Sequence, residues 1–507
     1  MCIGCVSSVK WVGLLATTLV GLLTIEELWN MLEKEENKIT FLKHFFARVF
    51  CLIFVPISIY LGSFYVHFAI LNRSGPGDAN MSSLFQAGLE GSDLAKSPLN
   101  VVYGSVVTIK SRSHGGGLLH SHVQTFPVGS KQQQITTYHH KDLNNDWILI
   151  KKKGTEDLYQ GLDVVRHGDI VKLKHKSTGK NLHSHFIEAP ITKSDLEVSA
   201  YGSNTNEEIE DVNDEWLVEV FKDTNQESIA SKHLRSLSTN FRLKHIVTGC
   251  YLRSQNVRLP DWGFKQGEVS CEKNLVNPKK RDVLWNIESN VNANLPEGNA
   301  SQYKSRFLDD VWDCNVGMWI TNNALTPNPD LEPGILTSQA KDWFFMRKGI
   351  RMSGWDDART KFYMLGTPAV WPASSIAVLM AIGIIGIMVL LSKRKIITLD
   401  TPGTNRFLYQ CRIALGGWAL HYLPFFLIGR VLYVHHYYPA LTFAVLAFGM
   451  IFDYITGAMS RKKRIISGSV VGAVIIANYY YFSPLCYGMD GSANKFQSRK
   501  WMSSWNL

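Results

Sequence analysis

One pattern occurs three times between about Val101 and Glu288, and it constrains the fold more than any other feature of the chain. Each copy has an alternating apolar run, a second run built on a Leu, and a third run that contains a Trp. The Leu and the Trp are 28, 34 and 33 residues apart in the three copies. The pairs are Leu119 and Trp147, Leu182 and Trp216, and Leu252 and Trp285. Such self-similarity predicts a repeat architecture.

Each repeat consists of short runs of alternating apolar and polar residues separated by Gly, Asn and Asp turns, a pattern typical of β-strands. One copy cannot bury its own apolar face, whereas three copies around an axis can share one core. The sequence therefore predicts an all-β domain over residues 100–290, a three-fold closed β-trefoil. The alternative is three independent hairpins. It would leave three Trp side chains half exposed, which is unfavourable for so large an apolar surface.

Apolar runs flank the repeats on both sides and predict a polytopic α-helical membrane protein. Two spans lie in residues 1–71 and four in residues 369–487. The six predicted spans are Trp11–Ile25, Val49–Val66, Ala369–Leu391, Ile413–Gly429, Val431–Phe452 and Ile465–Tyr487. The first run is short for a span. Residues 72–99 are then a loop, 291–368 a linker that returns to the membrane, and 488–507 a tail.

The distribution of charge predicts the orientation of these spans. A net charge of +10 suits nucleic acid, but the excess lies in clusters beside apolar runs, at Ser392–Lys395 and Arg461–Arg464. Such clusters are typical of cytoplasmic loops, so no nucleic-acid partner is expected. Counting from them places the repeats and the tail on the lumenal side. Glycosylation sequons at Asn72, Asn80 and Asn299 agree with this orientation.

Eight cysteines in 507 residues are too few for a disulfide scaffold. Cys250, Cys271 and Cys314 lie in the predicted lumenal part. One bridge among them and a set of buried free thiols both fit the sequence.

A second motif, SGPGD, follows the second predicted span and consists of Ser74, Gly75, Pro76, Gly77 and Asp78. Two Gly and a Pro within four residues predict a tight turn. The FQAGL sequence that follows predicts the start of a short helix. Taken alone, the segment is also compatible with a simple linker between span and β domain.

Together with the LHSH sequences that end at His122 and His185, this motif resembles the protein O-mannosyltransferase family, most closely its second subfamily. His421–Leu441 also matches the family pattern. The resemblance implies a GT-C membrane enzyme of the endoplasmic reticulum whose lumenal β-trefoil consists of three MIR repeats. It implies inverting transfer of mannose from dolichyl phosphate mannose to Ser or Thr of acceptor proteins. It also implies a heterodimer with a first-subfamily member.

The resemblance implies that the catalytic carboxylates are not among these residues. The family carries an Asp-Glu pair in its first lumenal loop and has about eleven spans, whereas this sequence begins within what resembles the sixth. Glu26 and Glu27 are interpreted as interfacial charges. We therefore expect a chain that is inactive alone, either a fragment or a short form. A short form would give the alternative function, a membrane-tethered protein that binds glycans or peptides without catalysis.

Arg430 stands between two apolar runs, where a buried Arg costs about 2.5–3.5 kcal/mol and needs a partner. The phosphate of the lipid donor is one such partner, and snorkelling to the interface is the alternative. His421 precedes Arg430 by about two and a half helical turns, so the two would line one cavity. The alternative for His421 is a bond to a neighbouring backbone group. Asp453 is expected to pair with the basic cluster at 461–464.

The His pairs, His120 with His122 and His183 with His185, lie two apart on predicted strands and so point the same way. We expect no metal site, because no nearby Cys or carboxylate completes four ligands and Arg253 replaces His in the third repeat. By the family analogy these five residues line shallow pockets for glycan or peptide. No cofactor is predicted beyond the donor substrate, and a requirement for a divalent metal stays open.

Overall fold

The computed structural model describes residues 1–34, 38–78, 81–113, 116–152, 162–202, 210–223, 232–277, 280–326, 337–352 and 354–507. The chain divides into two compact units. One consists of Met1–Ser63 and Asn323–Leu507, and the other of Phe64–Asn322.

The described residues of the Phe64–Asn322 unit form twelve strands, four from each repeat. They are β1 Val106–Ser111, β2 Leu118–Thr125, β3 Gln133–Tyr138, β4 Asp146–Lys151, β5 Ile170–His175, β6 Asn181–Glu188, β7 Leu196–Tyr201, β8 Trp216–Asp223, β9 Thr239–His245, β10 Tyr251–Arg258, β11 Gly267–Glu272 and β12 Trp285–Val291.

Six strands pair in a closed antiparallel ring, in the order β1, β4, β5, β8, β9, β12 and back to β1. The other six form three hairpins, β2–β3, β6–β7 and β10–β11. The second strands of the hairpins, β3, β7 and β11, pair with one another in a triangle. A six-stranded barrel capped by three hairpins is a β-trefoil, so the predicted fold is confirmed.

The core of the trefoil is where the three repeats meet. Trp147, Trp216 and Trp285 are all 0% exposed. Each indole Nε1 donates to the carbonyl of the Leu in its own repeat, at 2.9, 3.0 and 2.9 Å. This bond explains the Leu–Trp pattern, because a buried indole N–H needs an acceptor and the hairpin strand supplies it.

Neighbouring repeats also interlock through polar groups. One buried side chain of each repeat bonds the hairpin loop of another repeat. The pairs are Glu197 with Ser130, Glu268 with Thr192, and Gln134 with Trp262. If one repeat opened, a buried carboxylate or amide of the next would lose its partner, and such a loss is costly.

The sequence left open whether Cys250, Cys271 and Cys314 include a bridge or are all free thiols, and the structure shows a bridge. Cys250 and Cys271 form a disulfide across the β10–β11 hairpin, and Cys314 is a free thiol.

The remaining elements are mainly helical. The helices are α1 Cys2–Val9, α2 Gly13–Lys34, α3 Lys38–Val49, α4 Val55–Ile70, α5 Ser83–Ala87, α6 Phe307–Ala324, α7 Ala340–Trp343, α8 Val370–Lys393, α9 Pro402–Tyr422, α10 Tyr438–Thr456 and α11 Arg461–Tyr487. A short hairpin pairs β13 Ile350–Arg351 with β14 Tyr363–Met364. Helices α8, α9 and α10 pack closely through small residues such as Ala381, Ala414 and Ala444, as helices in membranes do.

In the described part of the chain, four helical segments are long and apolar enough to cross a membrane. They are Lys38–Ile70, Val370–Lys393, Val434–Thr456 and Arg461–Tyr487. These correspond to four of the six predicted spans. A 3-10 turn, Val434–Tyr437, leads into α10.

The other two predicted spans differ from the prediction. Helix α2 contains Trp11–Ile25 only from Gly13 onward and continues to Lys34 through three Glu, which lower its apolar character. The predicted bounds Ile413–Gly429 are wrong, because α9 begins at Pro402 and ends at Tyr422. A 3-10 turn with Pro424 near its start follows, since Pro lacks the N–H that continues a helix.

Candidate functional site

The SGPGD motif forms a closed turn. The Asp78 carboxylate Oδ2 accepts the Gly75 N–H at 2.6 Å and the Ser74 hydroxyl at 2.8 Å. Helix α5 follows, and its N-cap Ser82 accepts from Phe85 N. The predicted tight turn is confirmed. A short helix is also present, but it begins at Ser83 and ends at Ala87, so the FQAGL run lies at its end and not at its start.

A short backbone ladder holds the turn against the end of the same loop. Ser74 N donates to Glu90 O at 2.9 Å, and Glu90 N donates to Asn72 O at 2.8 Å. The Arg73 guanidinium and the Glu90 carboxylate form an exposed ion pair at 3.4 Å. The loop is therefore folded into a defined shape and is more than a linker.

A cavity of about 600 Å³ lies beside this turn. Its walls come from the end of α4, from the turn and α5, and from α6. Polar groups on the walls include Arg73, Asp78, Thr321 and Asn322. Sequence reasoning found the turn but missed α6, because no spacing signal links two segments so far apart along the chain.

The groups in this cavity suit binding better than covalent catalysis. Burial raises the pKa of the Cys314 thiol, and the neighbouring Asp313 raises it further, so the thiol stays protonated and is a poor nucleophile. Asp78 is the one carboxylate among the described lining residues, and its Oδ2 already bonds the turn.

Helix α6, which forms one wall, is fastened to the trefoil by a buried carboxylate. Asp313 accepts from Arg112 Nη2 and from Arg281 Nη2, both at 2.9 Å. A carboxylate held between two guanidinium groups is a strong, directional contact. One turn earlier, burial raises the pKa of Asp310 to about 6, and Asp313 and Asp309 add to the effect.

The His pairs lie as predicted on the first strands of two hairpins. The rings of His120 and His122 are 5.5 Å apart, and those of His183 and His185 are 5.1 Å apart. Burial lowers the pKa of both His120 and His122, so that pair is neutral at pH 7. Tyr138 packs against His120 with a ring-to-ring distance of 5.0 Å and a tilt of 45°, in the same arrangement as Tyr201 and His183 of the second repeat.

The sequence led us to expect no nearby carboxylate that completes a set of four metal ligands, but carboxylates do lie beside both His120 and His183. Asp142 Oδ1 is 3.6 Å from His120 Nδ1. In the second repeat, His183 Nδ1 is 2.9 Å from Asp214 Oδ1 and 3.8 Å from Asp211 Oδ2. The 3-10 turn before each Trp strand folds back onto the hairpin and brings these groups together. An Asp five positions before the Trp was the signal in the sequence.

Arg253 occupies the position in the third repeat that His120 and His183 occupy in the first two, and it is surrounded by carboxylates of the fold. Its guanidinium lies 3.0 Å from Asp195, 3.7 Å from Glu272 and 3.5 Å from Asp282. It is 12% exposed, so it has little surface to offer a ligand.

In the membrane-helix unit, His421 takes the simpler of its two predicted roles. Its Nδ1 bonds the Gly417 carbonyl at 2.8 Å, and its ring stacks on Phe443. Arg430 lies after the end of α9, so the expected helical spacing between the two is wrong.

A cavity of about 560 Å³ in this unit lies between α2 and α9, and neither His421 nor Arg430 is among its described lining residues. It contains an ion pair between Glu26 and Arg412. Sequence reasoning missed this pair, since Glu26 was interpreted as an interfacial charge. Glu27 pairs with Arg48 at 3.2 Å.

Two smaller predictions have clear outcomes. Asp453 pairs with Arg464, as predicted. Of the sequons, Asn72 and Asn299 are exposed, and Asn80 lies outside the described residues.

Comparison with known families identifies three segments. Residues 1–72 match the family described as dolichyl-phosphate-mannose-protein mannosyltransferase. Residues 117–285 match the MIR domain, and 307–505 match the C-terminal four TMM region of protein-O-mannosyltransferase. The last description supports α9 as a fourth span beside α8, α10 and α11.

Relatives match the chain over its whole length. Dolichyl-phosphate-mannose–protein mannosyltransferase 3 of Saccharomyces cerevisiae is 39% identical over 100% of this chain and 68% of the relative. Dolichyl-phosphate-mannose–protein mannosyltransferase 2 of Candida albicans is 41% identical over 100% of this chain and 67% of the relative. The solved S. cerevisiae protein O-mannosyltransferase Pmt1–Pmt2 complex bound to the sugar donor matches with a TM-score of 0.76 at 33% identity. That match covers 100% of this chain and 68% of the other.

A polytopic helical unit with an inserted MIR trefoil and a folded SGPGD loop defines a membrane-embedded glycosyltransferase. The chain belongs to the dolichyl-phosphate-mannose–protein mannosyltransferase family, most like its second subfamily. The alternative of a binding protein without catalysis is not favoured, because relatives named as transferases match every part of the chain.

Proposed function

We propose that this chain is part of a protein O-mannosyltransferase that moves mannose from dolichyl phosphate mannose to Ser or Thr hydroxyls, with inversion. The observation that carries the proposal is the folded SGPGD loop and its cavity, in a chain that resembles a donor-bound transferase structure from end to end. The walls combine an apolar helix end with Arg73, Thr321 and Asn322, which suits a substrate with both apolar and polar parts.

The transfer needs one proton acceptor. The hydroxyl oxygen of the acceptor attacks C1 of mannose, the bond between C1 and the phosphate oxygen breaks, dolichyl phosphate departs, and a carboxylate takes the hydroxyl proton. Asp78 is a poor candidate, because it already accepts two bonds in the turn. We assign the proton transfer to the Asp-Glu pair of the family's first lumenal loop, so these 507 residues alone are inactive.

The proposed setting is the membrane of the endoplasmic reticulum, with the trefoil in the lumen. The positive clusters at the end of α8 and the start of α11 support this orientation. The Cys250–Cys271 disulfide supports it as well, because disulfides persist in oxidising compartments. A first-subfamily member is the proposed partner, since the solved structure described above is a complex of Pmt1 with Pmt2.

The trefoil pockets and Arg430 are proposed to contact substrates. Buried imidazole, Tyr and Asx groups lie together around His120 and His183, and this chemistry suits the hydroxyls of a glycan or peptide. Arg430 lies between α9 and α10, beyond His421, where it can meet the phosphate of the donor.

A transfer assay tests the proposed function directly. The 507-residue chain is assayed in microsomes with dolichyl phosphate mannose and a Ser/Thr peptide, alone and with a first-subfamily partner, beside a second-subfamily protein that includes the Asp-Glu loop. We expect mannosyl transfer from the protein with the loop and none from the chain alone. Transfer by the chain alone would contradict the assignment of the proton acceptor, and transfer by neither would contradict the function.

Arg430→Ala, made in the protein that includes the loop, should reduce transfer by at least tenfold and raise the KM for the lipid donor. Arg430→Lys should lose less, because it keeps the charge but not the two-pronged hydrogen bonding. Arg394→Ala, at the end of α8, is the matched control and should retain full transfer. Unchanged donor kinetics in Arg430→Ala would remove this residue from the donor site.

A further inference from the structure

The three repeats of the trefoil place different charges at one equivalent position. His120, His183 and Arg253 each follow the repeat's buried Leu, and each lies third on its strand, β2, β6 or β10. A 3-10 turn before the Trp strand faces each of them, with N-cap Asp142, Asp211 or Lys280. The three positions can therefore be compared within one molecule.

In the first repeat the facing group is neutral. His120 Nδ1 bonds Asn145 Oδ1 at 2.8 Å, and the one carboxylate nearby, Asp142, is 41% exposed. The hydrogen bond between the hairpin and the turn thus needs only a carbonyl oxygen, and an amide supplies it.

In the third repeat the same place holds positive charge of the chain itself. Arg253 replaces His and contacts Asp195, Glu272 and Asp282. Lys280 replaces the N-cap Asp and lies 3.0 Å from Glu272. Here the fold shows directly that a cation occupies this position.

The second repeat has the negative charge without that cation. Asp214, 1% exposed, takes the place of Asn145, and Asp211 stands beside it. Among the described residues, neither carboxylate forms an ion pair with a Lys or Arg. Asp214 receives bonds from His183 Nδ1 at 2.9 Å and Asn181 Nδ2 at 2.9 Å, whereas Asp211 directs its Oδ2 toward His183 at 3.8 Å. Two carboxylates so close together, one of them buried, are costly without a compensating charge.

We propose that His183, Asp211 and Asp214 bind a divalent metal ion. One ligand atom from each of the three residues lies within 4.8 Å of the others. An ion with bonds of about 2.0–2.2 Å holds its ligand atoms about 3–4 Å apart, which these side chains reach with small movements. One imidazole and two carboxylates without a thiolate suit Mn²⁺ or Zn²⁺. The ion would fix the Val212–Asp214 turn to β6, as Arg253 fixes the third repeat.

Manganese binding to the purified 507-residue chain tests the proposal, with the EPR signal of free Mn²⁺ as the readout. Mn²⁺ is the probe because the free cysteines of the chain would compete for Zn²⁺. We expect the wild-type chain to bind one ion per chain at this site and to gain several degrees in unfolding temperature with Mn²⁺. Asp214→Asn, which copies the first repeat, and Asp211→Asn should each weaken binding at least tenfold and abolish the gain.

Asp142→Asn, the equivalent change in the first repeat, is the matched control and should bind like wild type. Because Asn already occupies the place of Asp214 in the first repeat, Asp214→Asn is expected to fold, and circular dichroism checks this. Equal Mn²⁺ binding by wild type and both second-repeat variants would overturn the proposal. So would a wild-type chain that binds no Mn²⁺.

Discussion

Trp147, Trp216 and Trp285 each do two things in the trefoil. Each indole fills the shared core, and each N–H donates to the Leu carbonyl of its own hairpin. The side chain thereby fixes the distance between the barrel and the hairpin of its repeat. At the residue scale, this is the contact on which the domain depends most.

Trp216→Ala should destabilise the trefoil by about 3–5 kcal/mol, because it opens a large cavity and leaves the Leu182 carbonyl without its donor. Hydrogen exchange of β6 and β8 peptides in the full chain measures the effect. Trp312, on α6, is 63% exposed, so Trp312→Ala is the control and should leave exchange unchanged. Equal protection of both variants would contradict the shared core.

Residue patterns in the sequence predicted this core well, since the Leu and Trp of each repeat recur in order. They predicted the SGPGD turn equally well, because Gly, Pro and Asp have strong local preferences. They did not predict Asp142, Asp211 and Asp214 beside the His pairs. Those contacts arise when a turn folds back across the barrel, and only the three-dimensional register of β2 and β6 brings them together.

At the scale of elements, α6 is the part of the structure that the sequence described least. Its residues were expected to form part of a linker over 291–368, yet Phe307–Ala324 is a helix. The Arg112–Asp313–Arg281 cluster fastens the helix, and the burial of Asp310 in its first turn raises the pKa of that residue to about 6. The apolar pattern of this helix is weak, so the long-range ion pairs determine where it lies.

The stability of α6 should depend on pH through Asp310. Its folded-state pKa of about 6 lies above the ordinary 3.8, so the folded chain holds the proton more tightly than the unfolded chain does. The stabilisation is complete below about pH 4 and is lost as the pH rises through about 6. Asp310→Asn should remove this dependence and slow hydrogen exchange of α6 at pH 7.5. The free energy of opening of the helix should rise by at most about 3 kcal/mol. Asp309→Asn, at an exposed position paired with Lys222, should keep most of the wild-type dependence, because Asp309 contributes less to the raised pKa of Asp310 than burial does. A flat wild-type profile from pH 4 to 7 would refute the assignment.

At the scale of the whole molecule, the number of spans decides the orientation. With only the four apolar segments of the described chain, the basic clusters Ser392–Lys395 and Arg461–Arg464 would lie on opposite sides of the membrane, and they lie on the same side only if α9 also crosses. The polar first half of α9, with Arg406 and Arg412, conceals this span from hydropathy alone. The ion pair between Arg412 and Glu26 of α2 shows how a charged Arg is accommodated in this helix.

Glycan mapping in cells checks the orientation. Asn299 is exposed and caps a 3-10 turn, so the wild-type chain should carry an N-glycan that Asn299→Gln lacks, seen as a mobility shift after endoglycosidase treatment. A sequon engineered between Met459 and Arg461 should stay unmodified. Modification at the engineered sequon would invert the proposed topology.

The first and last strands of the trefoil are partners: β1 pairs with β12, with Val106 opposite Val291. The polypeptide therefore enters and leaves this domain at neighbouring points. For the rest of the protein, the whole insert spans no greater distance than a short loop does. Closing a short loop costs little conformational entropy. A domain with this property can be acquired, exchanged or lost between two helices without disturbing the scaffold that carries it.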